Sequence, residues 1–115
     1  MTRDLPLEVV CQRRGEAAVL VVHGELDLST VDALRQVLRS QEARASVVVL
    51  DLRELEFIDS SGLSLIVSEQ QRASDDGFNF AVAVGGAPAV QRLFELTGLR
   101  DTLTLVDDPD AALPA

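Results

Sequence analysis

Val47-Val48-Val49-Leu50-Asp51-Leu52-Arg53-Glu54-Leu55-Glu56-Phe57-Ile58-Asp59-Ser60-Ser61-Gly62 is the stretch on which the fold turns. Within the strand expected from Val47 to Leu52, the uninterrupted apolar run Val47 to Leu50 is expected of a strand covered on both faces, as in a mainly parallel sheet. A short acidic loop follows, and Asp59-Ser60-Ser61-Gly62 then opens an amphipathic helix with Leu63, Ile66 and Val67 on one face. Two hydroxyls are thereby set at a helix N-terminus, where backbone N–H groups lack partners and the dipole end is positive. Such a corner can cap the helix, hold an anion or present a serine for phosphorylation. Asp59, Ser60 and Ser61 all compete for the capping role.

Working outward, Leu7, Val9 and Cys11 alternate with more polar neighbours and predict a half-buried strand. Arg13-Arg14-Gly15-Glu16 is a turn signal, and Ala17 to Val22 completes a hairpin. Gly24-Glu25-Leu26-Asp27 reads as a loop leading to Ser29 and Thr30, either of which suits a helix N-cap; Ser29 with Asp32 has the spacing of a capping box. Val31, Leu34, Val37 and Leu38 then recur at helical spacing. The second helix is expected over 61–74, ending at Asp75-Asp76-Gly77. Phe78 to Val84 predicts another strand. Gly85-Gly86-Ala87-Pro88 turns into a third helix with Val90, Leu93 and Phe94 inward, closed by Gly98 as a left-handed C′ residue with Leu99 as its apolar partner. Thr102 to Val106 is a last strand. The tail from Asp107, with prolines at 109 and 114, allows one short helical turn.

The fold class is therefore α/β, in the order β-β-α-β-α-β-α-β: an N-terminal hairpin, then parallel βαβ units, in a sheet of four to five strands with helices packed against it. By length the 115 residues are expected to form one domain, with a core over about 7–106 and termini that fray. In such sheets sites gather at the carboxyl ends of strands, which here means residues 24–30, 57–62 and 85–88.

Composition excludes several functions. The net charge is −9, and ten arginines are scattered among nineteen acids, which disfavours nucleic acid and anionic membrane surfaces and favours a partner with a basic face. The chain has no lysine, so P-loop, Schiff-base and receiver-domain chemistry are ruled out. No apolar run reaches the ~20 residues of a membrane span. Met1-Thr2-Arg3-Asp4-Leu5-Pro6 lacks an apolar signal core, so a cytoplasmic location is expected. The lone Cys11 reads as a small buried hydrophobe. His23 is the only histidine, and Asp-Ser-Ser-Gly is not a Gly-x-Ser-x-Gly elbow, so no catalytic residue is assigned. Asp27, Asp51 and Asp59 fall near the loops and invite Mg²⁺, but carboxylates at strand and helix starts generally cap; no metal site and no cofactor is assigned.

Leu50-Asp51-Leu52, Leu55 and Phe57-Ile58-Asp59-Ser60-Ser61-Gly62-Leu63 closely resemble the signature of the STAS domain, in the form found in bacterial anti-sigma factor antagonists. Gly24-Glu25-Leu26-Asp27 resembles a second family marker, and Ala89 through Leu99, ending Thr97-Gly98-Leu99, a third. The likeness spans about residues 8–106. It implies a partner switch. The unmodified antagonist binds an anti-sigma factor that is also a serine kinase of histidine-kinase-like ATPase fold, so the sigma factor is freed. Phosphorylation of the serine after the aspartate, Ser60 by position, ends the complex, and a serine phosphatase resets it. The contact surface implied comprises Glu25, Asp27, Ser29, Thr30, Asp59, Ser60, Ser61 and Gly62. A STAS subunit of another assembly, a stress-signalling scaffold or transporter-associated regulator without a phospho-switch, is the alternative within the family. A small Mg²⁺-dependent nucleotide-using protein is the alternative outside it. Relatives often carry a full helix after the last strand, whereas here Pro109 and Pro114 bracket at most a short one.

Overall fold

The computed structural model describes residues 6–113. The expectations of frayed ends, of a proline at 114 bounding the tail, and everything read from residues 1–5 lie outside the described residues.

The elements are β1 (Leu7–Arg14), β2 (Ala17–Leu26), α1 (Val31–Glu42), β3 (Val47–Asp51), β4 (Leu55–Ile58), α2 (Ser60–Asp76), β5 (Asn79–Ala83), α3 (Pro88–Thr97) and β6 (Leu105–Val106), with 3-10 turns at Leu99–Asp101 and Pro109–Ala112. The sheet has six strands in the order β1-β2-β3-β5-β6, with β4 paired separately to β2. β1 and β2 form the antiparallel hairpin, whereas β2–β3, β3–β5 and β5–β6 are parallel. The α/β order read from sequence is thus present, with β4 inserted between β3 and α2.

All five residues of β3 are buried, because β3 lies in the middle of the sheet and is covered on both faces. One face carries Leu20, Val22, Val48, Leu50, Phe80 and Val82 beneath the apolar stripes of all three helices. The opposite face presents Ala17, Val19, Val47, Val49 and Ala83, against which Ala112 and Leu113 of the tail pack. The single short turn expected of the tail is the one at Pro109–Ala112, and Asp110 within it pairs with Arg14 of β1.

Several local expectations are corrected. Cys11 is exposed, not buried. It pairs with Leu20 of β2 but lies on β1, the outer strand of the sheet, with no strand on its other side among the described residues. Gly24-Glu25-Leu26 is not loop but the end of β2, pairing in parallel with β4 across a register shift between Gly24 and Glu25. Gly24 makes the shift possible: its φ is +98°, and a Cβ there would meet Pro6 O at 2.4 Å. Ser29 does not form a capping box with Asp32; the N-cap is Thr30, and no side chain caps α1. The last strand is only Leu105–Val106, since Leu99–Asp101 winds into a 3-10 turn beyond α3. Gly98 does close α3, with φ +71° and its N–H bonded to Glu95 O and Phe94 O.

Candidate functional site

α2 begins at Ser60 because Asp59 caps it. Asp59 is extended, and its Oδ1 accepts from Ser61 N at 2.8 Å and Gly62 N at 3.3 Å. Of the three capping candidates, Asp59 holds the role, which leaves both serine hydroxyls out of it. Ser60 occupies the first helical position and is exposed, whereas Ser61 is half-buried.

Two segments far apart in sequence meet at this corner. Glu25 pairs with Phe57 and Leu26 with Ile58, and Asp59 N donates to Leu26 O at 3.1 Å. The end of β2, and with it residues 27–30, is thereby held beside the start of α2. Gly62 seals the junction, since a Cβ on it would come within 2.8 Å of both Leu26 Cγ and Ile58 Cγ1. The glycine lets the first turn of α2 sit directly on these side chains.

The 27–30 segment is internally braced. Asp27 Oδ1 accepts from Ser29 N at 2.9 Å and from Ser29 Oγ at 2.6 Å. Thr30 Oγ1 accepts from Asp27 N at 2.9 Å and donates to Glu25 O at 2.8 Å. The Ser29 hydroxyl, with help from the Ser29 and Thr30 bonds, holds the Asp27 carboxyl below its ordinary range.

The residues expected at the site are therefore brought together, but in two roles. Glu25, Ser29 and Ser60 are exposed, and Asp27, Asp59 and Ser61 half-buried. Thr30 is only 5% exposed and Gly62 is buried, so these two shape the surface from within. Of the third loop, 85–88, Gly85 N donates to Asp107 O at 2.8 Å, tying it to the tail.

Asp51 is 1% exposed and clamped by Arg53 through Nε to Oδ1 and Nη2 to Oδ2, each at 2.9 Å. This bidentate pair turns the chain out of β3 and raises the affinity of the Arg53 guanidinium for its proton. With Asp51 on Arg53, Asp27 on Ser29 and Asp59 on the α2 amides, the three aspartates are each committed separately. Among the described residues no three His, Cys, Asp or Glu side chains form a metal-binding group. His23 stands in β2 opposite Glu8. No described helix is long and apolar enough to cross a membrane.

The exposure of two apolar residues at this corner is not evident from the sequence. Leu28 is 77% exposed and Phe57 50% exposed, one on each segment of the corner. Their signal was a large apolar side chain set among acids, in Asp27-Leu28-Ser29 and Glu56-Phe57. A groove of about 550 Å³ also runs from Ser60 between α2 and α3, floored by Leu63, Val67, Leu93 and Leu99.

The sequence profile of the STAS domain matches residues 8–112. The chain belongs to the STAS domain family. Among relatives of this STAS chain, the "Anti-sigma F factor antagonist" of Paenibacillus polymyxa is 29% identical over 109 residues, covering 93% of this chain and 92% of that protein. The "Anti-sigma-B factor antagonist" of Staphylococcus epidermidis is 36% identical over 84 residues, covering 71% and 76%. A crystal structure of an anti-sigma factor antagonist from Mycobacterium paratuberculosis superposes with a TM-score of 0.82 at 29% identity, covering 92% of this chain and 90% of that one.

Proposed function

We propose that this STAS domain is an anti-sigma factor antagonist switched by phosphorylation of Ser60. The observation that carries the reading is the exposed Ser60 side chain at the first position of α2, beside a surface made by two segments joined through Leu26 and Asp59. The names of its relatives supply the partner class: an anti-sigma factor, here taken to be a serine kinase of histidine-kinase-like ATPase fold, with a serine phosphatase as the resetting enzyme. The chain acts as a binding module, not as a catalyst, and its place is the cytoplasm.

On this reading Leu28 and Phe57 are the apolar anchors of the docked state, and Glu25, Asp27, Ser29, Asp59, Ser60 and Ser61 form its polar rim. Thr30 and Gly62 position that rim. A docking partner meets an acidic edge on a protein of net charge −9, so its own contact face is basic.

Phosphate adds about −1.5 to −2 charges. A helix N-terminus ordinarily welcomes it. Here, however, the Ser61 and Gly62 amides already donate to Asp59, so the phosphate is left beside a carboxylate and facing the partner. Repulsion and desolvation at a closed interface cost several kcal/mol, where each ~1.4 is tenfold in affinity. The fold itself need not move.

The test is binding of the anti-sigma factor co-purified with the wild-type chain. Ser60→Asp should bind at least tenfold more weakly with far-UV dichroism and melting unchanged, and Ser60→Ala should bind yet gain no phosphate mass with kinase and ATP. Equal affinity of Ser60→Asp and wild type, or phosphate mapped to Ser61, overturns the assignment.

A further inference from the structure

Glu69 is completely buried. It lies at helical spacing with Leu65 and Ala73 on the inward side of α2. A carboxylate there has lost its hydration and needs either close donors or a proton. The groups that face it come from two helices. α1 contributes Glu42, whose side chain is 5% exposed, and Arg39, whose Nε is 3.6 Å from Glu69 Oε1. α2 contributes Arg72, whose Nε is 3.7 Å from the same oxygen. Arg72 is itself engaged elsewhere, with Nη2 at 2.7 Å from Glu42 Oε1 and 3.9 Å from Asp76 Oδ2. β5, under α2, has no charged residue, and Glu56 of β4 and Arg92 and Glu95 of α3 are exposed.

Both arginine separations exceed hydrogen-bonding distance. Neither oxygen of Glu69 nor Oε2 of Glu42 receives a hydrogen bond among the described residues. One proton placed between the two carboxyl groups satisfies an oxygen on each and leaves a single negative charge for Arg72 and Arg39 to answer.

We propose that Glu42 and Glu69 share a proton across the contact between α1 and α2, and that this bond latches the two helices until rising pH removes it. Burial first, then the hydrogen bond and like charge of Glu42, carry the Glu69 carboxyl from its ordinary 4.5 up to about 7, while Arg72 and Arg39 pull the other way. The folded chain therefore binds more protons than the unfolded one between those values. Stability from the latch is full below about 4.5, declines as pH rises to about 7, and is gone above it. The latch joins the last residue of α1 to the middle of α2, away from the corner at Ser60, and requires no assumption about what binds there.

The experiment uses the isolated chain. Side-chain carboxyl NMR of the wild type should show Glu69 titrating near pH 7, with Glu42→Gln, which frees Arg72, lowering that midpoint by about one unit or more. The melting temperature of the wild type should fall relative to that of the isosteric Glu69→Gln between about pH 5 and about pH 8, and amide protection at 38–42 and 69–73 should fall with it. A Glu69 midpoint in the ordinary carboxylate range means a plain ion pair with the arginines and overturns the proposal. So does a melting profile parallel to that of Glu69→Gln, or protection that stays constant through the titration.

Discussion

Asp59 donates its backbone N–H to the carbonyl of Leu26 at 3.1 Å while its side chain caps α2. One residue thus ends the β2–β4 pairing and begins the helix that carries Ser60. The two functions are separable, because the first uses the main chain and the second the carboxylate. Replacing Asp59 by Ala should keep the junction and lose the cap, costing about 1 kcal/mol and about 4 °C of melting temperature. Asp59→Asn should recover most of it, since its amide oxygen still accepts from Ser61 and Gly62. Thermal melts of the three proteins decide the matter; an Ala variant as stable as wild type would show the cap to be idle.

Gly62 tests the packing beneath the same corner. A helix-interior glycine replaced by alanine ordinarily gains about 1 kcal/mol. Here the added Cβ lies 2.8 Å from Leu26 Cγ and Ile58 Cγ1, two core side chains without room to retreat. Overpacking of this kind costs about 1–3 kcal/mol, so the net sign should be destabilising. A lower urea midpoint for Gly62→Ala with unchanged slope is expected. A higher midpoint would mean that α2 does not sit this closely on β2.

Much of this architecture was legible in local sequence, and the exceptions have a common cause. Val47 to Leu50 announces a central strand because β-branched residues without alternation fit a surface covered on both sides. Gly98 announces a helix end because its left-handed backbone suits glycine. The four residues of β4 carry no such mark: Leu55-Glu56-Phe57-Ile58 lacks alternation, and its pairing depends on Gly24 to Leu26, some thirty positions earlier in sequence. The end of β2 reads as a loop in sequence for the same reason, since each strand exists through the other. Cys11 shows the reverse error, in which an apolar pattern on an outer strand overstates burial. Glu69 was hidden by its charge, although its spacing from Leu65 and Ala73 placed it inward all along. At the candidate site the corner Asp59-Ser60-Ser61 could be read from sequence, whereas the choice of Asp59 as the cap and the exposure of Leu28 and Phe57 required the fold.

Those two side chains carry a prediction of their own. Leu28→Ser and Phe57→Ser remove apolar surface that already faces water in the free chain, at 77% and 50% exposure. Neither should change the stability by more than about 0.5 kcal/mol, as is typical of surface substitutions. Each should weaken capture of the anti-sigma factor by about tenfold, the effect of losing an interface anchor of about 1–2 kcal/mol. Calorimetry with the purified partner measures this, and full affinity in both variants would move the docking surface elsewhere on the domain.

Asp27 gives the domain a pH response opposite in sign to that of Glu69. Its carboxyl is lowered first by the Ser29 hydroxyl, which outweighs the opposing cost of burial, with the Ser29 amide and the Thr30 hydroxyl and amide assisting. A depressed carboxyl binds fewer protons folded than unfolded, so its stabilising effect is complete above the ordinary value of 3.8 and is lost as pH falls through the lower folded value. The loss should be local. Residues 27–30 are held by the bonds that Asp27 accepts, while Thr30 remains tied to Glu25 O at 2.8 Å. On acidification the amide signal of Ser29 should lose its hydrogen-bonded shift before the strands of the sheet lose theirs. In Asp27→Asn the Ser29 signal should hold a weaker but pH-independent position over the same range. If the Ser29 amide of the wild type moves only with global unfolding, the brace at Asp27 is not an independent element of this surface.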